Sequence, residues 1–181
     1  MLHIVREGRY YRVADPGWRD PLEASYSRQR GGRWNPPGSF AVLYLNREVR
    51  TARALVRYRF RELPYGPELL RPEQAPVLVA TEVASDEYVD VVTEAGCTAV
   101  GLPATYPLDG AGRTVSWAEC QPIGKRAWDA RERGIACRSA APEGTEELAH
   151  FARPEAARLE GRGRWQFDEW FWPATARVEA D

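Results

Sequence analysis

The segment GGRWNPPG, residues 31–38, stands directly before the apolar run FAVLYL, residues 40–45. The glycine and proline pairs predict a turn, and the apolar run, which contains β-formers, predicts a largely buried strand. Residues 47–60, REVRTARALVRYRF, then repeat apolar side chains at helical spacing, which predicts a helix with one buried face. The chain therefore has to turn, enter the core as a strand and leave it as a helix, with an arginine held in the turn.

The rest of the chain predicts both strands and helices. Strands are expected over residues 9–13, 75–84 and 135–139, and a helix over residues 122–134 that stops at Gly134. No internal repeat and no domain boundary interrupts this order. We therefore expect one domain, residues 1–181, of the mixed α/β (α+β) class.

Several segments leave alternatives open. Residues 87–92 fit a short strand or a helical turn, and residues 146–151 fit a helix or a strand. Residues 100–117 form a long loop rich in glycine and proline, of a length often associated with binding sites. The aromatic residues of 162–173 are expected to pack a core edge, although a partner surface is the alternative. A further alternative concerns the helix, where Arg50, Arg53 and Arg57 lie on one face. We expect this face to be exposed to solvent, although it could instead line a cleft.

Charge and hydropathy exclude several classes of partner. The 181 residues include 25 basic and 26 acidic side chains, giving a formal charge of -1. Such a chain has no overall field to attract a phosphate polymer, so no direct contact with nucleic acid is expected. No apolar run approaches the roughly 20 residues of a membrane helix, and the first residues lack the apolar stretch of a signal peptide. These features predict a cytoplasmic protein that does not contact a membrane.

The cysteines and histidines do not predict a metal site. Cys97, Cys120 and Cys137 lie far apart, and reduced, buried thiols are expected for them. His3 and His150 are not spaced for metal binding or for a nucleophilic triad. The chain also lacks a phosphate-binding P-loop motif and the glycine-rich fingerprint of a dinucleotide-binding fold.

The turn at residues 31–35 carries the most specific chemistry. The glycine pair would let the backbone pass close to a ligand, and Arg33 presents a planar cation suited to a phosphate or carboxylate. Asn35 could satisfy backbone groups within the turn or reach a sugar hydroxyl. Taken alone, the same residues also fit a tight turn with an ordinary surface arginine.

The order of the motifs resembles that of the RES-domain family, which supplies toxins of bacterial toxin–antitoxin pairs. The resemblance rests on GGRWNPPG, the strand with Tyr44, the TARA helix, GIACRSAAP and ELAHF, and covers roughly residues 26–151. It implies a fold similar to ADP-ribosyltransferases and NAD as the substrate. NAD would be consumed by hydrolysis or phosphorolysis of the nicotinamide–ribose bond, or used to ADP-ribosylate a protein.

The resemblance also implies residue roles and a partner. Arg33, Tyr44 and Ser139 would be catalytic, and the same three residues together with Asn35 would bind NAD. The expected partner is an antitoxin that carries a helix-turn-helix domain.

One position departs from the family pattern. Relatives carry a glutamate on the helix after the tyrosine, where TARAL places Leu55. A carboxylate commonly stabilises the positive charge that builds on a ribose during such cleavage, and leucine cannot. Helical geometry places Leu55 at the edge of the apolar face, which indicates replacement by core packing, while Glu48 and Glu62 are candidate substitutes. A catalytically weakened relative that binds a nucleotide or a partner protein is therefore the alternative.

Overall fold

The structure, a computed structural model, describes residues 1–155 and 157–172 and confirms the mixed α/β class. Its strands are β1 (His3–Ala14), β2 (Val42–Asn46), β3 (Val77–Val91), β4 (Gly134–Arg138), β5 (Glu146–Phe151) and β6 (Gly161–Trp165). Its helices are α1 (Ser25–Arg30), α2 (Val49–Phe60), α3 (Glu94–Val100), α4 (Trp117–Asp129) and α5 (Phe167–Trp170), with a 3₁₀ helix at Pro67–Leu69.

The strands form one sheet in the order β1-β2-β5-β4-β3-β6, and β1 also pairs with β3. Five strands therefore close into a ring, and β6 adds to β3 outside it. The closure depends on β3, which pairs with β1 along most of its length and, at residues 89–91, runs parallel to β4. The segments 75–84 and 87–92 are thus parts of a single long strand.

The main core lies on the face of the sheet that β2, β4 and β5 share. Alternate side chains of β5 determine it, because Ala149 and Phe151 point to this face while Leu148 belongs to the opposite cluster. Helices α3 and α4 and the loop between them cover this face. The residues buried here include Trp34, Phe40, Val42, Cys97, Tyr106, Cys120, Ile123, Ile135 and Cys137.

Helix α2 packs against the C-terminal aromatic segment. Val49, Ala52 and Val56 are buried, as their spacing predicts, in a cluster with Trp170 and Phe171. The expectation of a core edge is therefore confirmed for residues 162–172, while Pro173 lies outside the described residues. The expected solvated arginine face is confirmed for Arg50 and Arg57 and wrong for Arg53, which is buried and donates from Nε to the carbonyl oxygen of Trp170 at 2.8 Å.

Helix α4 begins and ends earlier than its sequence suggests. Ser116 caps its first turn by accepting from the backbone N–H of Glu119, whose carboxylate accepts from the N–H of Ser116. Its end is set by Arg131, which adopts a positive φ of 65°. The predicted stop at Gly134 is therefore wrong, and this glycine is instead the first residue of β4.

The remaining sequence expectations concern thiols, histidines and membranes. The three cysteines are buried and unbridged, as predicted. His150 is buried beside the Tyr88 hydroxyl at 3.0 Å, whereas His3 is near the surface beside Glu132. Within residues 1–155 and 157–172, no group of three or more His, Cys, Asp or Glu side chains is arranged to hold a metal ion. No helix in the same residues has the length and apolarity needed to cross a bilayer.

Candidate active site

The glycine pair at residues 31 and 32 is required by the packing of the turn itself. Gly31 has φ 75° and ψ 179°, a backbone conformation that residues other than glycine rarely adopt. A Cβ at this position would also lie 2.8 Å from Pro37. A Cβ on Gly32 would lie 2.4 Å from the Tyr44 hydroxyl oxygen. The close approach that these glycines allow is therefore to Pro37 and to the Tyr44 ring.

Tyr44 and Asn35 lock the shape of the turn. The Tyr44 hydroxyl accepts from the Trp34 backbone N–H at 2.9 Å and donates to Asn35 Oδ1 at 2.8 Å. Asn35 is fully buried, and its Nδ2 donates to the carbonyl oxygens of Ser27 and Phe40 at 2.7 and 3.0 Å. Burial raises the pKa of Tyr44 well above its ordinary value, so its hydroxyl keeps its proton. Asn35 therefore satisfies backbone groups of the turn, which is one of the two roles expected for it; the other was contact with a sugar hydroxyl.

Arg33 is held at the mouth of the turn. Its Nη1 donates to the carbonyl oxygen of Val115 at 2.8 Å and lies 3.9 Å from Cys120 Sγ. Helix α4 supports the turn from the same side, because Gln121 Nε2 donates to the Gly32 carbonyl oxygen at 3.0 Å. The half-buried guanidinium is thereby fixed against α4 and the loop before it.

Ser139 follows the last residue of β4 and is 5% exposed. Its hydroxyl donates to Glu147 Oε1 at 2.6 Å and accepts from the Ala141 backbone N–H at 3.2 Å. Its own N–H donates to the Thr145 carbonyl oxygen at 3.0 Å, which extends the pairing of β4 with β5. The hydroxyl is therefore fixed in direction by a carboxylate on the neighbouring strand.

Glu147 connects the two predicted ends of the site. It is half-buried, and its side chain points to the same sheet face as Ala149 and Phe151. Burial raises the pKa of this carboxyl, while the hydrogen bond from Ser139 and the positive charges of Arg33 and Arg59 lower it. The structure thus brings Arg33 and Ser139 into one environment through a residue that sequence reasoning missed. The available signal was an acidic residue at a position of β5 that faces the core, but residues 146–151 also fitted a helix.

Leu55 lies on the side of α2 that faces this site. The hydroxyl oxygen of Thr51, one turn earlier, lies 2.9 Å from that of Thr145. The positive charge of Arg59, one turn later, lowers the pKa of Glu147. Leu55 is half-buried, so the expectation that core packing replaces the glutamate at this position stays a prediction.

The two glutamates considered as substitutes are engaged elsewhere. Glu48 is paired with Arg50, and Glu62 is paired with Arg61 at 2.8 Å. The side chains of both pairs are largely exposed to solvent. Glu147 is therefore the carboxylate that is hydrogen-bonded to Ser139 and that also feels the positive charge of Arg33.

The site lies where the apolar sheet face becomes polar. A cation, a carboxylate and an oriented hydroxyl meet there, a set that can bind a phosphate group and stabilise a developing positive charge. Cavities of about 330 and 310 Å³ lie elsewhere, the first beside Trp128 and Arg153 and the second beside Tyr88 and His150. Neither is lined by the residues that form this site.

Comparison with known proteins identifies the family. The RES domain pattern matches residues 9–168, which are most of the chain. This chain belongs to the RES-domain family. RES-domain proteins similar to it include the NAD(+) phosphorylases MbcT of Mycobacterium bovis and Mycobacterium tuberculosis. Each is 28% identical over 146 residues, which cover 80% of this chain and 74% of the relative.

The fold of this RES domain is also seen in a solved structure. One chain of the crystal structure of the M. tuberculosis MbcT–MbcA toxin–antitoxin complex superposes on it with a TM-score of 0.76 and 25% identity. The match covers 93% of this chain and 91% of that chain. The six-stranded sheet and its helices are therefore an arrangement shared with a toxin–antitoxin protein.

Proposed function

We propose that this RES-domain protein is a toxin that degrades NAD by cleaving the bond between nicotinamide and ribose. The observation that carries the proposal is the hydrogen bond from Ser139 to Glu147, a carboxylate that the positive charge of Arg33 also influences. The cation suits the diphosphate of NAD, and the oriented hydroxyl and carboxylate suit its ribose. The names of the MbcT relatives support NAD as the substrate.

The reaction can be written with the residues of this chain in stated roles. Arg33 binds the diphosphate, and Ser139 orients the ribose whose C1–N bond is to break. The electron pair of that bond goes to the nicotinamide nitrogen, and an oxygen of phosphate or water then bonds to C1. The attacking oxygen releases its proton to solvent. We propose phosphate as the acceptor, because the similar curated proteins are phosphorylases.

In this proposal Tyr44 contacts NAD directly, whereas Asn35 acts through the turn that holds Arg33. The Tyr44 ring is half-buried, and its exposed part can contact the nicotinamide or ribose. Asn35 is fully buried, and its hydrogen bonds to the turn and to Tyr44 preserve the position of Arg33. Asn35 therefore contributes to NAD binding through the shape of the turn.

The test is release of nicotinamide by the purified protein, followed by chromatography with and without inorganic phosphate. We expect one nicotinamide for each NAD consumed and, with phosphate, ADP-ribose phosphorylated at C1. Ser139→Ala should lose most of this activity, whereas Ser25→Ala, at an exposed position in α1, should retain it. No nicotinamide release by the unaltered protein would refute the proposed function, and label transferred to lysate proteins would show ADP-ribosylation instead.

We propose an antitoxin as the protein partner. The support is the similarity to one chain of a solved toxin–antitoxin complex. A helix-turn-helix domain on the antitoxin remains the expectation for DNA binding. Expression of the RES-domain protein alone should arrest growth, and coexpression with the product of the neighbouring gene should restore it. Growth that is unaffected by the active protein would contradict a toxin function.

A further inference from the structure

Glu147 combines a position in the core-facing row of β5 with hydrogen bonds from Ser139 and the Ala140 backbone and with the influence of two positive charges. Its neighbours along that row, Ala149 and Phe151, are completely buried in the main core. An acidic side chain at such a position is unfavourable unless it is hydrogen-bonded or performs a function. The presence of a carboxylate in this core-facing row therefore needs an explanation.

The contacts of Glu147 orient it toward the site. Oε1 accepts from the Ser139 hydroxyl at 2.6 Å, and the backbone N–H of Ala140 also donates to the carboxylate. The positive charges of Arg33 and Arg59 approach it from the turn and from α2. These two cations favour the ionised form, which is the form that can stabilise positive charge on a substrate.

We propose that Glu147 is the catalytic carboxylate that stabilises the positive charge formed on the ribose as nicotinamide leaves. This inference rests on the proposed cleavage of NAD. As the C1–N bond breaks, positive charge spreads over C1 and the ring oxygen, and the ionised carboxylate lies beside them. Glu147 forms no bond to the sugar and is unchanged when phosphate or water has added to C1.

Neighbouring acidic residues do not compete for this role. Glu146 points to the opposite sheet face, where its two carboxylate oxygens accept from Arg6 at 2.6 and 2.7 Å. Glu48 and Glu62 are paired with exposed arginines. Glu147 also accounts for a working site without an acidic side chain at position 55, because β5 supplies a carboxylate across from that helix.

Stability separates a catalytic role from a structural one. Burial raises the pKa of Glu147, so the folded state favours its protonated form relative to the unfolded chain. The contribution of this group to folding therefore decreases as the pH rises through its raised pKa. Glu147→Gln removes the charge and can keep the bond from Ser139. We expect this variant to have an equal or higher Tm at pH 8, in contrast to the loss expected for a structural carboxylate.

The decisive experiment compares Glu147→Gln with the unaltered protein in steady-state cleavage of NAD. We expect kcat to fall by about 10²- to 10³-fold, as for loss of one preorganised electrostatic group, and KM to change less than threefold. Glu146→Gln is the matched control, because it removes the adjacent carboxylate from the other sheet face. Its kcat should stay within threefold of the unaltered protein.

The pH profile provides a readout that a packing defect would not change. Raising the pH should increase kcat as Glu147 ionises, and this limb should be absent from Glu147→Gln. The charged and titratable groups that face Glu147 are Arg33, Arg59, Tyr44, Tyr106 and Cys137. The arginines stay charged, and burial keeps the tyrosines and the thiol protonated, throughout the range in which a carboxyl titrates.

A second variant tests whether the carboxylate itself matters. Leu55→Glu places one on the side of α2 that faces the site, and in the Glu147→Gln background it should recover at least tenfold of the lost kcat. In the unaltered protein the same change should raise kcat less than threefold.

If Glu147→Gln cleaves NAD as fast as the unaltered protein, or keeps the rise of kcat with pH, this inference is wrong while the proposed function stands. If the unaltered protein cleaves no NAD, both proposals fail.

Discussion

Arg33 is fixed through Nη1 alone and leaves most of its donors to a ligand. Nη1 donates to the Val115 carbonyl oxygen, and in the described part of the chain no carboxylate lies within ion-pair distance of the guanidinium. A guanidinium presents five N–H donors, so the remaining ones can reach a diphosphate. The residue is therefore held in place without being neutralised.

Replacing Arg33 should weaken binding of the ADP-ribose part of NAD. We expect Arg33→Ala to lower the affinity for ADP-ribose by ~1.5 to 3 kcal/mol, the range for hydrogen bonds to charged groups. Arg33→Lys should recover only part of this free energy, because an ammonium cannot reproduce the planar fork. Isothermal titration calorimetry measures both, with Arg30→Ala, an exposed arginine of α1, as the control. Unchanged affinity in Arg33→Ala would exclude Arg33 as the phosphate anchor.

At the scale of elements, the turn at residues 31–35 depends on α4. Gln121 donates to the Gly32 carbonyl oxygen, and Gly124 lies so close that a Cβ there would be 1.7 Å from the Trp34 carbonyl oxygen. The helix and the turn thus meet backbone against backbone. The position of Arg33 is consequently coupled to the packing of α4 on the sheet.

A methyl group at this contact should disturb both the fold and the site. Gly124→Ala forces the Trp34 backbone away from α4, and we expect a loss of about 1 to 3 kcal/mol in the free energy of unfolding, typical of overpacking. Urea denaturation measures this loss, and the affinity for ADP-ribose should fall with it because Arg33 moves with the turn. Gly110→Ala, where a Cβ meets nothing within 4 Å, should leave both quantities unchanged. Equal stability of the two variants would show that the turn and the helix are not tightly coupled.

The same scale shows what could be predicted from the sequence. Helical periodicity identified α2 and its buried residues Val49, Ala52 and Val56. The glycine and proline pairs of residues 31–38 identified the turn that carries Arg33. The end of α4 could not be predicted, because Arg131 takes a conformation for which glycine is the usual signal. Glu147 could not be predicted because its direction depends on the register of β5, which is set by pairing with β4 and with β2, a strand that is distant in sequence.

At the scale of the whole molecule, the closed ring of strands buries ionisable groups that a flat sheet would expose to water. His150 on β5 pairs with Leu43 on one side and Gly134 on the other and is 3% exposed. Burial, reinforced by the positive charge of Arg133 and opposed by Asp86, lowers the pKa of His150 from 6.5 to about 4. The ring is therefore most stable when this imidazole is neutral.

Stability should consequently fall as the pH is lowered through the range between these two pKa values. The unfolded chain binds a proton at His150 below about pH 6.5, whereas the folded chain resists it until about pH 4, so protons favour unfolding in this interval. A shift of this size corresponds to about 3 kcal/mol at pH 4. Urea denaturation at pH 7 and pH 4 should show that the unaltered protein loses about 3 kcal/mol more than His150→Gln. His3→Gln, which changes the histidine near the surface, should lose as much as the unaltered protein. If His150→Gln loses the same free energy between these pH values as the unaltered protein, carboxylates alone account for the acid sensitivity and the burial of His150 does not.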